Sequence, residues 1–181
     1  MKNNYTLLKA LLVAGIVGTM AHLSPLAHAA LTAQQITALA GPTSAKNLSQ
    51  AAVDMVNAAT PAAREQLAKD IAAYVAVNKP GLAGSVVASI VQLIPNSVAA
   101  IVTAAVQANQ SVAASVVTAT VQALPSSAVV VAAAATAAAP GSTINFTALA
   151  TAAVTAAQAG AATPAAKIPS NPATTSQAAT Q

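Results

Sequence analysis

Cysteine is absent from this chain, and both of its histidines, His22 and His28, lie near the N terminus. A chain without cysteine forms no disulfide and offers neither a thiolate nucleophile nor a cysteine for lipidation. Both histidines fall in a segment that we expect to be removed. The processed chain would then lack the commonest general base and the usual zinc ligands. These absences exclude Ser-His and Cys-His catalytic pairs from the processed chain, and we predict no metal centre and no cofactor.

Charge is also scarce, since Asp, Glu, Lys and Arg together make up 6% of the residues. The carboxylates are Asp54, Glu65 and Asp70, and the last two are five residues apart, on different faces of a helix. They are a poor basis for a hydrolase that works with two carboxylates. The basic residues are too few and too scattered for a nucleic-acid footprint or a polybasic lipid patch. We therefore predict a protein that is not an enzyme and does not bind nucleic acid.

Aromatic residues are a further shortage, at 2% of a chain that is 56% hydrophobic, mostly Ala and Val. Burial of apolar surface contributes roughly 25 cal/mol per Å², so each of these small side chains adds little stability. Stability must come from many close contacts between backbones.

The first 29 residues have the pattern of a secretory signal peptide. Lys2 and Lys9 supply the positive start, Ala10–Met20 is an apolar run, and Ala-His-Ala forms a cleavage site that ends at Ala29. A retained membrane anchor would need about 20 apolar residues, which is longer than this run. We predict cleavage after Ala29 and export, so that the protein is secreted or periplasmic.

Helix start signals follow the predicted cleavage site. Thr32 can cap a short helix that ends at Ala40, because Gly-Pro follows. Ser44 or a neighbour starts a second helix, and Thr60 with Pro61 starts a third.

The third helix, over residues 61–78, carries most of the charge of the processed chain. Glu65 and Lys69 have the spacing of a favourable helical ion pair, and we expect the charges to form a solvated face. Pro80 and the glycine after it end the helix. The apolar stripe comprises Leu67, Ile71, Tyr74 and Val75. This helix is predicted to be the polar N-terminal cap of the array that follows.

From residue 82 onward the chain repeats every fifteen residues. The dipeptide Val-Gln recurs at residues 91, 106 and 121, and a column of large apolar residues recurs in the same register. This predicted core column is Ile71, Val86, Ile101, Val116, Val131 and Phe146. Although Val and Ile favour strands, the apolar residues are spaced by three and four, which predicts helices.

Helix breakers and capping residues recur at the same interval, at residues 94–97, 109–111, 124–127 and 140–143. Each unit is then a helix of about 12 residues and roughly 18 Å, followed by a tight turn. Residues 83–91 resemble residues 113–121, so two units form a pair of thirty residues. We predict an all-α array of short antiparallel helices, which resembles α-solenoids at the level of architecture.

The repeat domain is predicted to span residues 30–159, with its last helix at 143–158. Residues 160–181 lose the periodicity and gain Pro, Thr, Ser and Gln, which is typical of a disordered tail. A linker, an anchor region and a glycosylated stalk all fit this composition.

Two polar rows are candidate ligand-binding features. The first, a polar ladder, is Gln92, Gln107 and Gln122. It would recognise a polar ligand or pair neighbouring units. The favoured interpretation, however, is that the glutamine recurs only because the unit repeats, at a solvated helix end. The second is Thr143, Thr147, Thr151 and Thr155. Such a row invites an ice-binding hypothesis, but residues four apart drift by about 40° per step around a helix.

Taken together, the sequence predicts an exported structural or protein-interaction module. Its partner would be a second copy or another secreted or envelope protein. The alternative is a membrane- or surface-active protein, because Val129–Ala139 is apolar and uncharged. That alternative is disfavoured because Pro95, Pro125 and Pro140 cut the region into helices too short to span a bilayer.

Overall fold

The computed structural model describes residues 31–161, and all the regular structure in that part of the chain is helical, without a strand. The predicted signal peptide and residues 162–181 lie outside it. The α-helices are α1 (Ala33–Ala40), α2 (Ala45–Ala58), α3 (Pro61–Asn78), α4 (Pro80–Leu93), α5 (Val98–Ala108), α6 (Ala113–Ala123), α7 (Ala128–Ala138) and α8 (Phe146–Ala161). Short 3₁₀ turns precede three of them, at Pro95–Ser97, Gln110–Val112 and Pro125–Ser127. The all-α helical array is therefore confirmed.

The first helices begin where their capping residues predict. Thr32 and Gln35 form a capping box: the Thr32 hydroxyl accepts from the Gln35 amide at 3.3 Å, and the Thr32 amide donates to the Gln35 side chain at 2.8 Å. The Ser44 hydroxyl accepts from the Asn47 amide at 3.3 Å. Thr60 precedes α3 as predicted, but its side chain makes no capping hydrogen bond.

The starts of α5 and α7 correct the prediction of capping side chains within residues 94–97 and 124–127. The side chains of Ser97 and Ser127 cap neither helix. Instead, a 3₁₀ turn leads directly into each α-helix, and the backbone amides of these serines donate to the carbonyls of Ile94 and Leu124 at 3.0 Å. The backbone thus makes i→i+3 bonds of its own where a side-chain cap was expected. Asn109 ends α5, as the predicted Asn exit would, and its carboxamide oxygen also accepts from the Ser111 amide at 3.0 Å at the start of the next turn.

The last helix is shifted by three residues from the predicted 143–158. It begins at Phe146 because Asn145 precedes it and accepts from the Ala148 amide at 3.0 Å, so Asn145 acts as the N-cap. The helix ends at Ala161, two residues beyond the predicted domain boundary at 159. Gly160 is tolerated inside its final turn.

From α2 to α8, each helix packs most extensively against a helix two positions away in the chain. This divides the array into two rows: α3, α5 and α7 form the first row, and α2, α4, α6 and α8 form the second. Consecutive helices contact each other across the rows, most closely α3 with α4 and α7 with α8. α1 packs on α2. Loops this short favour packing between consecutive helices, so the dominance of the i/i+2 pairs is a finding that the sequence did not predict.

α3 and α5, which are neighbours in the first row, run parallel to each other. Near the N-terminal ends of α3 and α5, the Ser97 hydroxyl donates to the Glu65 carboxylate at 2.9 Å. Near their C-terminal ends, the Asn109 side chain donates to the Ala76 carbonyl at 2.8 Å. Two contacts that join start to start and end to end fix a parallel orientation.

The core lies between the rows and consists mainly of Val, Ala and Ile. All six residues of the predicted core column are buried, with Phe146 the most exposed of them at 3%. Thr120 is also fully buried, and its hydroxyl has no hydrogen-bond partner.

The charges of α3 do not form the predicted solvated face. Asp70 is buried, and the Gln66 side chain donates to its carboxylate at 2.9 Å. Glu65 accepts from Ser97 rather than pairing with Lys69. The prediction was wrong because it treated α3 as packed on one side only, whereas α3 contacts α2, α4 and α5.

The cations near the ends of α3 stabilise the ends of earlier helices. The Arg64 guanidinium donates to the carbonyls of Asn57 at 3.3 Å and Ala59 at 3.2 Å, at the end of α2. The Lys79 ammonium donates to the Ala40 carbonyl at 2.8 Å, at the end of α1, and also to the Pro42 carbonyl. A cation at a helix C terminus meets unpaired carbonyls and the negative end of the helix dipole.

Candidate interaction surface

The contact at Gly84 shows which face of a helix meets the next helix in its row. A Cβ atom added there would lie 2.8 Å from the Ser115 carbonyl oxygen and 3.3 Å from the Ala119 Cβ, both on α6. Residues at the same register in α4, α5 and α6 are buried or half-buried. They are Gly84, Ala88, Val91, Ala99, Thr103, Val106, Ala114, Thr118 and Val121. α4 therefore presents this face to α6, and burial at the same register indicates that α5 and α6 present it to their own row successors.

On α7 the same register is exposed. The positions are Val129, Ala133 and Thr136, which we call the outer stripe, and Val129 is 82% exposed. α7 is the last helix of the first row within residues 31–161. The outer stripe is thus an exposed counterpart of the face that α5 buries.

The outer stripe forms one wall of an open groove of about 480 Å³ between α7 and α8. The other residues that line it are Ala128, Ala132, Ala137, Thr147, Ala150 and Thr151. Neither α7 nor α8 contains a charged residue. The groove is apolar, neutral and lined by small side chains, which lets another helix approach closely.

The groove threonines offer few hydrogen-bond donors to a ligand. The Thr136 hydroxyl donates to the Ala132 carbonyl at 2.8 Å, and the Thr151 hydroxyl donates to the Thr147 carbonyl at 2.9 Å. Donation to a carbonyl one turn back uses the hydroxyl proton within the helix and leaves the methyl group on the surface. Contact with an apolar surface is the interaction that this arrangement favours.

The structure places the polar ladder outside this groove. Gln92, Gln107 and Gln122 are exposed near the ends of α4, α5 and α6, and within residues 31–161 no hydrogen bond joins them. Because α5 belongs to the other row, Gln107 lies apart from the row that carries Gln92 and Gln122.

The threonine row is shorter than the spacing suggests. Thr143 precedes α8, so only Thr147, Thr151 and Thr155 share its surface, and all three are exposed. Like Thr151, Thr155 donates to a carbonyl one turn back, that of Thr151, at 3.1 Å. Two of these threonines, Thr147 and Thr151, line the groove.

A polar cleft of about 320 Å³ lies between α2 and α4. It brings Lys46 near Ser49, Ser85 and Ser89, the residue types of a Ser-Lys nucleophile. The Ser89 hydroxyl donates to the Ser85 carbonyl at 3.0 Å, and in the described chain Lys46 makes no hydrogen bond to a serine. The cleft carries no argument for catalysis.

The outer stripe is the feature that sequence reasoning missed. One signal was present: the column of Val91, Val106 and Val121, all buried, continues as Thr136 and Thr151. A change from Val to the similarly shaped Thr marks the helices in which this position meets solvent.

Between residues 31 and 161, no three His, Cys, Asp or Glu side chains gather as a metal site would require. None of the helices in that range combines the length and apolarity needed to cross a bilayer.

Comparison of the chain with protein-family models, with curated proteins and with solved structures finds no match.

Proposed function

We propose that this protein is an exported, non-enzymatic structural or interaction module. Its helical units stack in the manner of an α-solenoid, and the end of the stack binds another protein. The observation that carries the proposal is the groove between α7 and α8, in which α7 exposes a face that α4, α5 and α6 bury or half-bury. Stacked helical units bury their apolar faces only against neighbours, so an uncovered end is a natural place for a partner.

The chemistry of the groove supports a protein partner rather than a small ligand. Small-molecule sites combine apolar walls with a few convergent polar groups that fix orientation. Here two of the three groove threonines, Thr136 and Thr151, donate within their own helices, and no charged residue lines the groove. A shallow, neutral surface with exposed valine matches the helix-in-groove mode of protein recognition.

Export rests on the sequence alone, because residues 1–29 lie outside the described part of the chain. Secretion by a bacterial host, followed by mass spectrometry of the released protein, tests it. We expect an N terminus at Ala30. A protein that stays in the cell with residues 1–29 attached contradicts the proposal.

A second candidate function is association with lipid, and the exposure of Val129 (82%) and Val130 (46%) favours it. Flotation of the secreted chain with neutral phosphatidylcholine vesicles separates the two. We expect the protein to remain in the unbound fraction. Quantitative recovery with the vesicles would contradict the interaction module and support a surface-active protein.

A further inference from the structure

We propose that the partner of the groove is a second copy of this chain, docked so that the two outer stripes pack against each other. This inference rests on the proposed function and names its partner. The outer stripe on α7 stands thirty residues after Ala99, Thr103 and Val106, the face that α5 presents to α7. The surface is therefore a continuation of the interface that holds the first row together.

Within residues 31–161 the chain supplies no further helix of the first row. Two repeat units span thirty residues, so the next helix of the row would begin near Gln158, which is still part of α8. The sequence beyond Ala161 contains Pro164, Pro169 and Pro172 and no further unit with the fifteen-residue pattern. Within the described residues the outer stripe is therefore open to a helix from a second molecule.

The N-terminal end of a second copy is not the matching surface. In α6 the residues that meet the preceding helix of the row are Ser115 and Ala119, which are small. The corresponding positions of α3, 45 residues earlier, are Asp70 and Tyr74. Asp70 is buried and Tyr74 is half-buried, so this face is already covered. An acid and a bulky aromatic residue also do not match the small residues of α6.

Two outer stripes, in contrast, complement each other. Each presents Val129, Ala133 and Thr136, without charge, and Thr136 keeps the shape of the valine at position 106 while its hydroxyl proton remains bonded to Ala132. The same patch on both partners gives a twofold interface. Such an interface closes at the dimer and does not extend into a filament.

Sedimentation velocity of the secreted chain over a range of concentrations tests this proposal. We expect a monomer-dimer equilibrium. Ala133→Glu places a carboxylate at the centre of the interface, opposite its own copy, and should weaken dimerisation by at least about 100-fold. Val129→Ala removes exposed methyl groups from both partners and should weaken it by about tenfold.

The matched control is Ala156→Glu, on an exposed part of α8 that does not line the groove. It adds the same charge and should leave the dimer unchanged. Circular dichroism should give the same helical signal for all three variants and the parent chain, because every substituted side chain is exposed.

Each alternative occupant gives a distinct result. A chain that remains monomeric up to millimolar concentration and does not bind vesicles overturns the dimer but leaves the interaction module standing. A chain that enters neutral vesicles overturns both proposals. If the chain dimerises only after truncation at Ala161, its own C-terminal segment occupies the groove. If the dimer survives Ala133→Glu, the dimer interface lies on another surface. Either result overturns the proposal.

Discussion

Replacement of Gly84 by alanine tests the close approach of α4 and α6. The new Cβ atom would lie 2.8 Å from the Ser115 carbonyl oxygen and 3.1 Å from the Ser115 carbonyl carbon. Both are helix backbone atoms, so the helices must move apart to accept it. Overpacking of this kind costs about 1–3 kcal/mol, against a gain of about 1 kcal/mol for alanine over glycine within a helix. We expect a net loss of about 1 kcal/mol in the free energy of unfolding.

Gly81 provides a control in the same helix. A Cβ atom there meets nothing within 4 Å, so Gly81→Ala keeps the conformational gain without the clash. It should stabilise the protein by about 0.5–1 kcal/mol. Urea unfolding followed by circular dichroism measures both variants. If Gly84→Ala stabilises the protein as much as Gly81→Ala does, the helices of a row are not in backbone contact and the reasoning is refuted.

Three other substitutions test the core and the helix ends by the same urea titration. Thr120→Val removes a buried hydroxyl that has no partner and should stabilise the fold by about 1 kcal/mol; a loss of stability would mean that the hydroxyl is bonded. Lys79→Met removes the ammonium that binds the end of α1 at Ala40. It should cost about 1 kcal/mol and speed hydrogen exchange of the α1 amides, whereas unchanged exchange would contradict the contact. Ile101→Ala should lower the free energy of unfolding by about 2–5 kcal/mol because the side chain is fully buried. Val129→Ala, at an exposed position, should change it by less than about 0.5 kcal/mol. Similar losses for the two variants would place Ile101 outside the core.

The helices were predictable because their signals are local. Thr32, Ser44 and Pro61 each mark a start that depends on a few neighbouring residues. The three-and-four spacing of Val and Ile was enough to choose helix over strand. The start of α8 was missed because two local signals compete. The predicted capping segment 140–143 contains Ser142, but Asn145, three residues further on, caps the helix.

The packing was less predictable, because it depends on which helices meet. Nothing near Asp70 in the sequence indicates that α3 is surrounded by other helices, so its burial was missed. Similarly, the exposed groove exists because α7 is the last helix of its row, and Val129 and Ala133 resemble the buried residues of the other units. An end of the array can be located only when the order of the rows is known.

The parallel packing of helices two positions apart is the central claim, and cross-linking tests it most directly. The absence of cysteine allows thiols to be placed at will. One variant carries Glu65→Cys with Ser97→Cys, whose native side chains touch at 2.9 Å. The other carries Glu65→Cys with Asn109→Cys, at the opposite end of α5, which is roughly 16 Å long.

We expect a short bis-maleimide to join the first pair within a single chain and to leave the second pair unjoined. Reaction of the second pair alone would mean that α3 and α5 run in opposite directions, and reaction of neither would mean that they are not neighbours. Either result would contradict the two-row array.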